Sequence, residues 1–247
     1  MKITFLGSSH GIAEAHAFCS SALISIADRH YIIDAGAPIM TLLQNHGVDF
    51  NDIRGIFITH SHADHMMGLV EFTFQMIDFK RHFPDVNIQV LVPDTKRYEA
   101  MNKFLFNKEG LIDESLHYRV YEEGVIWEDD LIRITAIRSQ HTSCSYSFLV
   151  EAEGKKVLFS GDLKAHIPDY PKIAHETDID LIIMEGAHTH LNEPEVMDIL
   201  KASRTKHMIV QHRYNKFNTD EMVEEFRRYV ADKMVVTCAH DNDVFYV

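Results

Sequence analysis

Cysteine is scarce in this 247-residue chain, in which only Cys19, Cys144 and Cys238 occur, widely separated. An odd number at such spacings indicates neither a disulfide framework nor a zinc site built on thiolates. A reducing compartment suits this composition, and the predicted location is the cytoplasm.

Long apolar runs are also missing, since no stretch approaches the roughly 20 consecutive apolar residues that cross a bilayer. The opening residues, MKITFLGSSHG, alternate like a strand and lack the long apolar region and small-residue cleavage site of a secretory signal. We therefore expect no membrane partner.

Positive charge is in short supply: 24 Lys and Arg residues face 37 Asp and Glu residues, for a formal net charge of −13. This balance opposes broad capture of long nucleic acid, although a local cationic metal site can still bind a phosphate. The expected substrate is a small molecule or a short nucleotide.

Apolar residues are concentrated in segments between residues 72 and 111. The usual expectation for such residues is that they pack in the core. Alternatively, some of them cover the pocket or form a homodimer contact.

Linkers, low-complexity segments and short repeats are absent, which predicts one domain over residues 1–247. Helical periodicity predicts helices at 38–46, 64–82, 95–106, 194–203 and 219–231. Apolar, β-branched runs predict strands at 2–6, 22–26, 31–34, 55–59, 88–92, 119–121, 132–137, 146–151, 156–160, 181–184, 208–211, 235–237 and 244–246. Two strand-rich halves with interspersed helices favour an α+β fold with α/β/β/α layers.

The stretch THSHADH, residues 59–65, concentrates imidazoles and a carboxylate where a buried strand ends. Side chains two apart on extended chain point the same way, so His60 and His62 can hold one ion. Asp64 and His65 follow the turn and can face a second ion. The alternatives are a polar surface loop or a structural zinc site, although the latter more often uses paired cysteines.

Further candidate ligands stand at the ends of other apolar strands. His141 follows ITAIRSQ, Asp162 follows VLFSG with Gly161 easing the turn, and His212 follows MIVQ. Each alone is more often structural, but together they complete a ligand shell.

In order along nearly the whole chain, these residues resemble the motifs of the metallo-β-lactamase superfamily, which are here Asp34 in IIDAG, the HSHADH cluster, His141, Asp162 in FSGD, and His212. The resemblance implies a four-layer α/β/β/α sandwich of the metallo-β-lactamase type. It also implies ligand sets: His60, His62 and His141 for one metal, Asp64, His65 and His212 for the other, and Asp162 bridging both. Asp34 would orient the ligand loop without touching metal.

Two divalent ions in such a site can share a hydroxide and stabilise charge on the attacked group. Zinc is favoured, and manganese or iron also suits histidine and carboxylate ligands. The expected enzyme is a metal-dependent hydrolase in which Asp64 both binds metal and orients the nucleophile.

Local features, among them FLGSS, HTSCSYSFLVE, GKKVLFSGD and DLIIMEGAH, look most like the ribonuclease Z and phosphodiesterase branch. However, only about 50 residues separate Asp162 from His212, with no Gly/Pro-rich arm of the kind that grips tRNA. A phosphodiesterase of smaller substrates is therefore the leading hypothesis. The alternatives are hydrolysis of a carboxylic ester, lactone or thioester, a non-catalytic metal-binding protein, and, least favoured, a flavodiiron-like redox protein.

Several other histidines are candidates for supporting roles. His188 and His190 follow the strand at 181–184, and either could protonate a leaving oxygen. His240 is predicted to contact the metal ligands without binding metal itself. His10 and His16 could line the mouth of the site, but surface placement is the default expectation.

Overall fold

The computed structural model describes residues 1–107, 115–163, 172–188, 191–214 and 219–247. Within these residues the strands form two seven-stranded sheets, with the orders β14–β1–β2–β3–β4–β5–β6 and β13–β12–β11–β10–β9–β8–β7. The first sheet comprises β1 (Lys2–Gly7), β2 (Ser21–Ile26), β3 (Arg29–Ile33), β4 (Ile53–Phe57), β5 (Ile88–Val92), β6 (Leu116–Val120) and β14 (Val244–Tyr246). The second comprises β7 (Gly124–Glu128), β8 (Ile132–Ser139), β9 (Ser145–Ala152), β10 (Lys155–Phe159), β11 (Leu181–Glu185), β12 (His207–Gln211) and β13 (Val235–Cys238).

Many central strands are apolar at successive positions because both faces of each sheet are covered. In β10, Val157 and Phe159 join the core between the two sheets, whereas Leu158 joins a separate core on the outer face. In β1, Phe5 faces the central core and Leu6 faces an outer core on the other side of the molecule. Alternation along each strand therefore divides the apolar side chains among three cores.

Helices cover both outer faces. Their bounds are α1 (Ile39–Asn45), α2 (Ala63–Met66), α3 (Gly68–Asp78), α4 (Lys96–Phe106), α5 (Ile173–Glu176), α6 (Pro194–Ala202) and α7 (Thr219–Tyr229). Residues of α1 to α4 enter the core outside the first sheet, and residues of α5 to α7 enter the core outside the second. These layers confirm the predicted α+β, four-layer α/β/β/α sandwich. None of the described helices has the length and apolar character needed to span a membrane.

The predicted helix at 64–82 was wrong in its continuity, because the chain forms α2, breaks at Met67 and continues as α3. Gly68 explains the close packing at the break: a Cβ there would lie 2.4 Å from Ile39 Cγ2 and 2.6 Å from Ala35 O. The backbone N–H of Gly68 donates to Ala35 O instead. Tertiary contact thus interrupts a continuous helical pattern.

Strand β7 was not predicted from the sequence. It lies at the edge of the second sheet, and its pairing with β8 shifts register between Val125 and Trp127. A bulge breaks the two-residue alternation by which strands are recognised.

The strand directions bring the predicted ligand segments to one end of the sandwich. Strands β3 to β6 are parallel, as are β10 to β13, while β8 is antiparallel to β9, which is antiparallel to β10. The carboxyl ends of β3 and β4 in the first sheet and of β8, β10, β11 and β12 in the second therefore lie at the same end of the sandwich. The residues that follow these strands form the candidate site.

Candidate metal centre

Three imidazoles, from His60, His62 and His141, form a cluster that we name the histidine group. The Nδ1 atom of His62 lies 3.0 Å from His60 Nε2 and 3.1 Å from His141 Nε2. Burial lowers the pKa of all three rings: the neighbouring His65 adds to the effect at His60, and His141 adds to it at His62. Neutral imidazole is the form that binds metal, and the lowered pKa values favour this form in all three rings.

Asp64, His65 and His212 form a second cluster, which we name the aspartate group. His65 Nε2 and Asp64 Oδ2 both lie 3.2 Å from His212 Nε2. Burial lowers the pKa of His65, but Asp162 and Asp34 outweigh it and raise that pKa well above its usual value. At His212, Asp162 and Asp64 likewise outweigh burial and raise the pKa to about 9. Without metal, this group therefore holds protons at neutral pH.

The Asp162 carboxylate lies between the two groups. Its Oδ2 is 3.6 Å from His60 Nε2 and 3.5 Å from His141 Nε2. Its Oδ1 is 3.3 Å from His65 Nε2 and 3.5 Å from His212 Nδ1. Burial raises the pKa of Asp162, but the surrounding imidazoles, above all His212 and His65, bring it well below the usual value. This carboxylate is ionised, and one oxygen faces each group.

The donor atoms fit divalent metal ions. Within the described chain, the buried atoms Asp162 Oδ1 and His212 Nδ1 have no hydrogen-bond partner, which is costly unless another ligand satisfies them. Among the residues that the structure describes, potential ligand atoms within 4.8 Å of one another occur in three sets: His60, His62, His141 and Asp162; Asp64, His65 and His212; and Asp162, His188 and His212. Nitrogen and carboxylate donors suit zinc, manganese and iron.

Asp34 accepts hydrogen bonds from the loop that carries His60 and His65. Its Oδ1 accepts a hydrogen bond from the backbone N–H of Thr59 at 2.7 Å, and its Oδ2 accepts one from His65 Nδ1 at 2.7 Å. Thr59 Oγ1 in turn lies 3.1 Å from His60 Nδ1. These contacts orient His60 and His65 so that the Nε2 atom of each ring faces Asp162.

Glu185 is a buried member of the site that the sequence interpretation did not single out. It ends β11, and its Oε2 accepts hydrogen bonds from the backbone N–H groups of Ala187 and His188, both at 2.9 Å. The same oxygen lies 3.5 Å from His188 Nδ1 and 3.8 Å from His212 Nδ1. Burial raises the pKa of Glu185, but His188 and His212 lower it to about 2. A carboxylate ending the apolar run LIIME is the signal that could have indicated this residue.

The predicted supporting histidines have different positions. His188 Nδ1 lies 3.8 Å from Asp162 Oδ2, and Glu185 raises its pKa. His190 lies outside the described residues. The side chain of His240 is 66% exposed and pairs with Asp243, so the structure does not bring His240 to the ligands. Its neighbour Asp241 points inward and accepts hydrogen bonds from the N–H groups of Ser8 and Phe18.

The expectation of a surface position was wrong for His10. Its ring centroid lies 5.0 Å from that of His212 and 5.3 Å from that of His188, and the ring stacks on Tyr214. Burial, followed by His212 and His188, lowers the pKa of His10. His16, on the same loop, is exposed.

The layered fold and the ligand motifs at one sheet edge define a protein of the metallo-β-lactamase superfamily. The fold resembles that of the metallo-β-lactamase fold protein YhfI from Bacillus subtilis, with a TM-score of 0.78, 16% sequence identity, and coverage of 99% of this chain and 98% of that one. Residues 1–236 match the family described as anti-Pycsar protein Apyc1, and the chain belongs to that family.

Curated relatives are similar at low identity. The anti-Pycsar protein Apyc1 of Paenibacillus xerothermodurans is 24% identical over 241 residues, which cover 92% of this chain and 90% of that protein. Ribonuclease Z of Picrophilus torridus is 25% identical over 212 residues, covering 83% of this chain. The match spans 64% of that ribonuclease Z, and only 46% of a ribonuclease Z from Pseudomonas putida.

Proposed function

We propose that this protein is a dinuclear metal-dependent hydrolase, specifically a phosphodiesterase. The observation that carries the proposal is the position of Asp162, whose two oxygens face different ligand groups. The proposed ligands are His60, His62 and His141 for one ion, and Asp64, His65 and His212 for the other, with Asp162 shared. Zinc is the proposed metal, and manganese or iron would also fit.

When bound, two divalent ions would supply Lewis acidity to the phosphoryl oxygens and lower the pKa of water towards neutrality. The chain's own residues arrange the remaining chemistry. Asp64, at the start of α2, faces the site as both ligand and orienting group for the nucleophile. Asp34 and Thr59 keep the ligand loop in place, so that the ligands need little reorganisation.

His188 is the proposed general acid. Glu185 lies 3.5 Å from His188 Nδ1 and raises the pKa of the ring, which favours a protonated imidazole at neutral pH. His188 is one-third exposed and lies beside Asp162, so a substrate can reach it. It can therefore donate a proton to a leaving oxygen without separating from its carboxylate partner.

The choice of a phosphodiester is supported by the relatives and by the charge of the site. Both ribonuclease Z relatives carry the name of an enzyme class that cleaves phosphodiester bonds. The net charge of −13 disfavours a long nucleic acid as substrate, whereas a small diester contacts only the metal centre and its rim. Small phosphodiesters, including cyclic nucleotides and short RNA ends, are the proposed substrates.

The proposal is tested by measuring hydrolysis of bis-p-nitrophenyl phosphate by zinc-loaded and manganese-loaded protein, with bound metal determined by elemental analysis. In Asp162→Ala we expect the rate to fall by more than the roughly 10- to 100-fold that loss of an outer metal-supporting group costs. Asp178→Ala is the matched control, because that side chain is 90% exposed and its ion pair with Arg204 is a surface contact.

Diester hydrolysis that survives metal removal, or that persists in Asp162→Ala, would contradict the proposal. Turnover of a lactone or thioester panel by protein with two bound metals and no diesterase activity would instead assign ester hydrolysis to the same site.

A further inference from the structure

The N-terminal loop, residues 8–20, reaches the metal centre and is held there by backbone contacts. The His10 N–H donates to Arg213 O at 3.1 Å, and the Ser9 N–H donates to Phe18 O at 2.9 Å. Gly11 packs against Asp64 so closely that a Cβ at this position would lie 2.8 Å from the carboxylate carbon. The loop therefore forms a fixed wall beside the aspartate group.

The His10 side chain projects from this wall between two imidazoles of the site. Its ring stacks on Tyr214 with a centroid separation of 5.4 Å and an interplanar angle of 25°. Tyr214 is buried and backs the ring. The His10 ring also contacts the rings of His212 and His188, so the half-buried side chain borders both the proposed metal site and the proposed general acid.

The hydrogen bonding of His10 leaves one ring nitrogen available. The backbone N–H of Ile12 donates to His10 Nδ1 at 3.1 Å, so Nδ1 is the acceptor of the neutral ring and the proton resides on Nε2. No hydrogen bond among the described residues uses Nε2 of His10. The ring thus presents an N–H donor at the rim of the centre.

We propose that His10 is a substrate-binding residue whose Nε2–H donates a hydrogen bond to a phosphoryl oxygen of the diester. The inference rests on the proposed phosphodiesterase function. A donor next to the metal centre adds a charge-assisted hydrogen bond to an anionic substrate, and a neutral ester or lactone would gain much less from it. His10 would therefore favour phosphodiesters over neutral esters at the same metal centre.

Two substitutions distinguish the proposed hydrogen bond from His10 to the substrate from the packing of the His10 ring on Tyr214. His10→Phe keeps a ring on Tyr214 but removes the donor, whereas His10→Gln keeps an N–H donor at a similar distance from the backbone. His16→Gln is the matched control, because His16 lies on the same loop and is exposed. The measurements are kcat and KM for bis-p-nitrophenyl phosphate, the Kd of inorganic phosphate by calorimetry, and metal content.

In His10→Phe we expect KM and the phosphate Kd to rise about 10-fold or more, as for a lost hydrogen bond to a charged group, with little change in kcat or metal content. His10→Gln should recover most of the loss, and His16→Gln should match the unsubstituted protein. An unchanged His10→Phe, or equal losses in both His10 variants, would overturn the assignment.

Failure of the proposed function is distinguishable from failure of this inference. An unsubstituted, metal-loaded protein that hydrolyses no diester would contradict the phosphodiesterase proposal. Phosphate affinity that does not depend on His10 would contradict the role of His10 whether or not the diester is hydrolysed.

Discussion

The histidine group and the aspartate group are built from similar side chains in different surroundings. The imidazoles of the first group have lowered pKa values because burial and neighbouring rings disfavour their charge. His65 and His212 are also buried, yet their pKa values are raised because Asp34, Asp64 and Asp162 surround them. The number of nearby carboxylates, rather than burial, decides the protonation of each ring.

For the proposed dinuclear centre, this difference implies an order of metal loading. The histidine group can accept an ion without giving up protons, since its rings are already neutral at pH 7. The aspartate group must release protons from His65 and His212 before both can act as ligands. We therefore expect the first ion to occupy the histidine group and the affinity for the second to rise with pH.

The largest expected effect is on the stability of the metal-free protein between pH 6.5 and 9. A pKa of about 9 for His212, against a usual value of 6.5, stabilises the folded state fully below pH 6.5. That stabilisation, about 3 kcal/mol from His212 alone, is lost as the pH rises through 9. Above pH 7.5 the imidazoles with lowered pKa values are largely neutral in both the folded and the unfolded state, so they do not oppose this effect. Thermal unfolding of chelator-treated protein at pH 7.5 and pH 9.5 should show a Tm lower by several degrees at the higher pH.

Zinc-loaded protein is the control for this pH experiment, because a metal ion bound as proposed would replace the protons on His65 and His212. Its Tm should not fall over the same interval. A metal-free Tm that rises from pH 7.5 to 9.5 would contradict the raised pKa of His212 and the difference described between the two groups.

A smaller effect is expected from Asp34→Asn, which alters only one group directly. An amide facing His65 Nδ1 would favour the ring tautomer that carries its proton on Nε2, the nitrogen facing Asp162. We expect the affinity for the ion in the aspartate group to fall by roughly 10- to 100-fold, with the other ion little affected. Competition titrations with a chromogenic chelator would measure both affinities.

Asp178→Asn, at an exposed position, is the control for Asp34→Asn. Equal weakening of both ions in Asp34→Asn would mean that Asp34 supports the whole loop through Thr59 rather than His65 in particular.

The smallest effect is expected from His240→Ala. Because this side chain is 66% exposed and pairs only with Asp243 among the described residues, stability should change by no more than about 0.5 kcal/mol and kcat/KM should stay unchanged. Denaturant unfolding and steady-state kinetics would check both. A loss of metal affinity in this variant would restore the supporting role that the sequence suggested for His240.

Strand positions were largely predictable because alternation and apolar runs are local properties. The strands Ile88–Val92 and Val244–Tyr246 have the predicted bounds, and most others differ by one to three residues at an end. The break at Met67 was not predictable, because it depends on the approach of Ile39 to Gly68 across the fold.

The same distinction applies to the site. His60, Asp162 and His212 could be proposed as ligands because each follows an apolar strand. Glu185 also ends such a strand, but its contacts with His188 and His212 arise only after folding. His10 lies on the loop that follows β1, and it is the pairing of this loop with residue 213 that brings it to the centre.

The sequence alone determined most strand and helix positions, the layered fold class and the identity of the candidate ligands, because side-chain periodicity and strand ends are local properties of the chain. Only the tertiary structure decided which carboxylates surround which imidazoles. Protonation depends on distances of a few ångströms between residues as far apart in the chain as Asp64 and His212, and folding alone sets those distances.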